Sequence, residues 1–105
     1  MARETKQVQR IREMEALLDE AQGAVSGLEE ALERFRGAQE AISTLMEYYT
    51  GKDWTKDYDA DEAGKLPQGL KRGVLSEDAV WNLLADNRQL HADLLETVKE
   101  YIQEF

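Results

Sequence analysis

From Ile11 onward, apolar residues return at alternating intervals of three and four: Ile11, Met14, Leu18, Ala21, Val25, Leu28, Leu32 and Phe35, then Gln39, Ile42, Met46 and Tyr49. That spacing keeps one face of an α-helix apolar and makes a heptad seam with a single polar interruption, Gln39. No proline precedes Pro67, and Glu, Ala, Leu, Arg and Gln, all favourable in helices, fill the intervening positions. The pattern predicts a first helix over residues 5–50, about 69 Å long if unbroken at 1.5 Å per residue. Gly23, Gly27 and Gly37 each cost about 1 kcal/mol relative to alanine inside a helix, so a bend is expected in the 23–27 region. Gly51 follows the last apolar position and is expected to end the helix in the left-handed conformation.

A second helix is predicted over residues 76–104. Ser76 is a favourable N-cap, and Glu77 and Asp78 place negative charge where the helix dipole attracts it. The seam here runs Val80, Leu84, Asn87, His91, Leu94, Val98, Tyr101 and Phe105, widened by Trp81, Leu83, Leu90, Leu95 and Ile102 into a stripe broad enough for a bundle core. At about 42 Å this helix, laid antiparallel on the first, reaches only the half nearer Thr50. Ile11, Met14 and Leu18 then lack a partner within the chain. Either the first helix bends near Gly23 and folds back, or the overhanging seam pairs with a second copy. The heptad phase runs unbroken through the glycines and favours self-association, a homodimer, with Ile11, Met14 and Leu18 as its contact residues. Gln39 and Asn87 are register-setting polar residues, each needing a hydrogen-bond partner. His91, the single histidine, reads as a partly buried, hydrogen-bonded packing residue rather than a metal ligand, because no companion ligand lies at helical spacing.

Between the helices lies an irregular connector, residues 51–75. Asp53 is expected to cap a short helix running through Trp54 and Tyr58 towards Gly64. Asp57, Asp59 and Asp61 alternate as at the start of a calcium-binding EF-hand loop, but Glu62 stands where that loop needs glycine and Gln68 where it needs glutamate. If the segment is helical its carboxylates diverge and cannot converge on one ion. Acidic Asp61 and Glu62 and basic Lys65, Lys71 and Arg72 stand close together, around three glycines and a proline. Lys71 and Arg72 beside Gly73 can form an anion or partner-docking point, or can pair with the neighbouring acids. Trp54, Tyr58, Asp61, Lys71 and Arg72 are therefore the candidate partner-binding residues.

With 105 residues the chain is of one-domain size, and 42% hydrophobic with 33% charged residues is too apolar for intrinsic disorder and too charged for a membrane protein. No apolar run approaches the roughly 20 residues of a transmembrane helix, and the start MARETKQVQR lacks a secretory core, so a cytoplasmic location is expected. The absence of cysteine excludes disulfides, thiolate metal sites and cysteine nucleophiles. The net charge of −9 is carried by the two helical arms, whereas residues 51–75 hold five basic and five acidic groups. Such a field repels phosphate backbones and anionic lipid, which argues against direct nucleic-acid or membrane binding. The opposite reading, an acidic helical mimic of nucleic acid that occupies a basic groove on a partner, fits the charge. A rival enzyme reading rests on Asp57, Asp61, Glu62 and Lys65 near Trp54 and Tyr58, but there is no paired nucleophile and no phosphate-binding loop.

The run YDADEAGKLPQGLKRGVLSEDAVWNLLADN, preceded by helix segments EMEALLDEAQ and LEEALERF, resembles a family of small bacterial proteins classed as a domain of unknown function. The resemblance covers roughly Ile11 to Leu95 and is most specific in the connector. It implies a small cytosolic helical protein and brings no activity, cofactor or catalytic residue. The expectation is thus an all-α protein, a long antiparallel helical hairpin or small bundle, that acts without cofactor or catalysis as a protein-interaction or self-assembling module.

Overall fold

Thr5 opens the first helix: its hydroxyl accepts the Val8 N–H at 3.1 Å and its carbonyl the Gln9 N–H at 3.0 Å, an N-cap followed by the first helical bond. From there α1 runs as one element over Lys6–Thr50 in the computed structural model, which describes residues 4–104. Gly23, Gly27 and Gly37 lie within α1 with open space where a Cβ would stand, and they do not interrupt it. After α1 come α2 (Lys52–Glu62), a 3-10 turn (Gly73–Leu75) and α3 (Ala79–Tyr101), so the protein is all-α, with no strand among the described residues. Phe105, the expected end of the second seam, lies outside the described residues.

The chain divides into two units, Met1–Gln39 and Glu40–Phe105. The described part of the N-terminal unit is Glu4, Thr5 and the greater part of α1. None of its described side chains is buried, and only Leu32, Phe35 and Gln39 are half-buried. Its remaining large apolar side chains stand in the open, from Val8 at 38% to Val25 at 69% exposed.

In the C-terminal unit the core is small and centred on Leu75 and Val80, the two buried residues among those described. The 3-10 turn carrying Leu75 packs against both α2 and α3, which fixes the corner where the connector meets the last helix. Along α3 the expected seam is followed at Val80, Leu84, Asn87 and Leu94, which are buried or half-buried. The expected widening is not: Trp81, Leu83, Leu90, Leu95 and Ile102 are exposed, as are Val98 and Tyr101. His91 is exposed rather than partly buried, with its Nδ1 2.7 Å from the Asn87 carbonyl one turn earlier.

Three local expectations at the helix ends need correction. Gly51 ends α1 in extended backbone, φ −94° and ψ 179°, not in the left-handed region. Glycine fits there most easily for reasons of space, because a Cβ would sit 3.0 Å from the Glu47 carbonyl oxygen. The same residue, not Asp53, is the N-cap of α2, and Asp53 instead contributes its charge in the first turn. The left-handed glycine is Gly64, φ 68°. It closes α2 in a Schellman motif, in which Lys65 N–H bonds the Ala60 carbonyl and Gly64 N–H the Asp61 carbonyl, both at 3.0 Å. Ser76 is not the N-cap of α3 either: the helix begins at Ala79 with Asp78 as its N-cap, and Ser76 Oγ accepts the Ala79 N–H at 3.0 Å from the end of the 3-10 turn.

Candidate functional site

Gly51 turns the chain so tightly that the last turn of α1 and the first turns of α2 share their aromatic side chains. Trp54 stacks on Tyr58 with ring centroids 5.1 Å apart at 20°, and meets Tyr49 edge-on at 5.1 Å and 82°. Such pairs contribute about 0.5–1.5 kcal/mol each beyond the area they bury. Every polar handle of the cluster is used. Trp54 Nε1 donates to the Val74 carbonyl at 2.8 Å, Tyr49 to the Glu77 carbonyl at 3.0 Å, and Tyr58 to Glu77 Oε1 at 2.8 Å. Behind them Tyr48 donates to Asp57 Oδ2 at 2.6 Å. The cluster therefore ties the end of α1, α2, the 3-10 turn and the approach to α3 to one another.

The hydroxyls respond electrostatically. Burial, and then the bond to Asp57, push the Tyr48 hydroxyl up to about 12 from 10.0. The bond to the Glu77 carboxylate, with burial second, raises Tyr58 likewise to about 12. In both cases the neutral hydroxyl is the form that the neighbouring carboxylate favours.

Arg72 organises the other half of the connector. Its guanidinium pairs with Asp61 on α2 and also donates to the Pro67 carbonyl, while Nε reaches the Leu70 carbonyl at 3.3 Å. A planar fork with five donors suits this task, holding one carboxylate and two carbonyls of a loop that has no ladder of its own. Asp57 and Asp61 thus diverge from α2 to separate partners, Tyr48 and Arg72. Among the described residues no three His, Cys, Asp or Glu side chains are grouped to hold a metal ion.

An open groove of about 420 Å³ lies beside this knot, lined by Leu45, Lys71, Gly73, Val74, Ala79, Val80 and Leu83. Of the five connector residues singled out from sequence, Trp54, Tyr58, Asp61 and Arg72 are committed to bonds within the chain, and Lys71 alone borders the groove. Sequence reasoning missed Glu77, whose backbone and side chain receive two tyrosines, and Tyr48. Only the density of aromatics around Gly51 hinted at either.

The second candidate surface is the apolar face of α1 in the N-terminal unit. Ile11, Met14 and Leu18 are 52%, 52% and 48% exposed, as their lack of a partner along the chain leads one to expect. Leu17, Val25 and Leu28 continue the face at 54%, 69% and 58%. Among the described residues no helix is long and apolar enough to cross a membrane.

The model of a protein family described as a domain of unknown function (DUF4298) matches residues 11–97, which include both surfaces. No curated protein and no solved structure matches the chain.

Proposed function

The chain belongs to the DUF4298 family, and since that description names no activity we propose, from the geometry, a non-enzymatic helical interaction module that self-associates through α1. The observation that carries this reading is the run of large apolar side chains from Val8 to Leu28 along one helix, each of them between 38% and 69% exposed. Contiguous exposed apolar surface of this kind marks an interaction site, and heptad spacing selects another helix as its complement. The connector supports the same reading from the opposite side. Asp57, Asp61, Trp54, Tyr58 and Arg72 are spent on holding the C-terminal unit together, and the adjoining groove is apolar apart from Lys71. We place this module in the cytoplasm, in keeping with its acidic, cysteine-free composition.

Light scattering on the full chain over a range of concentrations tests the proposal. The parent protein should rise above the 12.0 kDa of one chain, and a Leu18→Glu, Val25→Glu double variant should remain at that mass with its helical circular dichroism retained. A parent protein that stays at one chain mass at every concentration would remove self-association from the reading.

A further inference from the structure

We infer that the second copy lies antiparallel on α1, in the register that sets residue i opposite residue 39 − i. The inference rests on the self-association proposed above and specifies its geometry. Two observations select it, both within the N-terminal unit.

The first is charge. Residues 4–12 carry Lys6, Arg10 and Arg12 against Glu4, net +2, whereas residues 27–35 carry Glu29, Glu30 and Glu33 against Arg34, net −2. The segment between them has four acids and no base. A parallel pair sets each of these segments against its own copy, so like meets like along the whole contact. Its gain is a single flanking match, Arg10 with Glu15 of the second copy. The antiparallel register sets the basic end of each helix against the acidic stretch of the other, twice, by the two-fold symmetry of such a pair. This also gives a role to a feature unfavourable within one chain, since the first turn of α1 has no acid and carries Lys6 at the positive end of the helix dipole.

The second is size. In this register the seam layers are Ile11 on Leu28, Met14 on Val25 and Leu18 on Ala21 of the second copy, each occurring twice. On the flanking row Leu17 lies near Ala24 of the second copy, two residues off the facing position. Large side chains meet small ones at the centre, the complement that close-packed layers need. A parallel pair would place Ala21 on Ala21 and leave a gap at the same level. The small central residues therefore let the two helices approach most closely where the segment is acidic and its charged side chains, Glu13, Asp19 and Glu20, point off the seam at helical spacing. All the residues involved are exposed.

Because the chain has no cysteine, introduced ones report the register without background. Full-length Ile11→Cys and Leu28→Cys proteins, singly and mixed, are oxidised and their linked peptides identified by mass. Disulfide geometry needs Cβ atoms within about 4.5 Å, so only facing positions join. The expected main product is the 11-to-28 link in the mixture, with little dimer from either variant alone. Met14→Cys mixed with Val25→Cys should behave the same way. Links of 11 to 11 and 28 to 28 would overturn the antiparallel register and leave self-association standing. Parent protein of one chain mass in light scattering, with no links in any mixture, would overturn both.

Discussion

Arg72 shows how one side chain can look like a docking point in sequence and act as a knot in structure. Replacing it with alanine leaves Asp61 without its cation, the Leu70 carbonyl without the Nε donor and the Pro67 carbonyl with only the Leu70 N–H, at a cost of about 1–2 kcal/mol for a partly solvated group. Arg72→Lys should recover less than half of that, since an ammonium cannot span three acceptors. Chemical denaturation of the two variants checks both values. Lys71→Ala, which breaks no bond of this kind, should stay within about 0.5 kcal/mol of the parent. If Arg72→Ala denatures like the parent, the guanidinium does not hold the connector. The tyrosines give a second test at this scale. Folding raises the Tyr48 and Tyr58 hydroxyls from 10.0 to about 12, so it favours their neutral forms. The stability they add is complete below the ordinary tyrosine value and is lost as the pH climbs towards about 12. Denaturation midpoints should therefore fall across that alkaline interval and more shallowly in Tyr58→Phe. An equal fall in parent and variant would show that the Glu77 bond does not couple ionisation to folding.

At the scale of elements, the helices were legible and their joints were not. Periodicity and composition gave α1, α3 and, at Val80, Leu84, Asn87 and Leu94, half of the α3 seam, because 3.6-residue repetition is a property of the local chain. The conformations at Gly51 and Gly64 could not be assigned the same way. Both glycines follow helical residues, and only the direction of the next element decides which must turn left-handed and which must make room for a carbonyl. The bonds of Trp54 to Val74 and of Tyr58 to Glu77 span 20 and 19 residues and depend on that turn being made first. The width of the α3 stripe was overread for a related reason: apolar residues such as Trp81 and Leu95 extend it in sequence, yet no element of the C-terminal unit covers them. The joints carry their own prediction. Gly64→Ala should cost about 1–2 kcal/mol through its left-handed backbone. Gly51→Ala should cost less, because the Cβ needs only a few tenths of an ångström from the Glu47 carbonyl. Thermal melts rank the two, and the reverse order would mean that the corner between α1 and α2 is the stiffer joint.

For the whole molecule, the exposed face of α1 sets how strongly assembly can depend on concentration. A fully buried Leu, Ile, Val or Met side chain is worth about 1.5–3 kcal/mol, and roughly half of that is still available at each position from Val8 to Leu28. Against the gain from two such faces stands about 4–15 kcal/mol for bringing two chains together, a term of the same size. The net charge of −9 on each chain adds repulsion that the complementary ends of α1 offset only in part. Assembly should therefore be reversible rather than obligate, and folding should be linked to it by mass action. The melting temperature of the parent protein should rise with protein concentration, while that of Leu18→Glu, Val25→Glu should not. A smaller slope is expected for a variant with Lys6, Arg10 and Arg12 changed to glutamate, since it keeps the apolar layers and loses the charge match at their ends. Concentration-independent melting in all three proteins would mean that α1 serves a different partner, and would turn the search towards basic helical surfaces able to meet its acidic stretch.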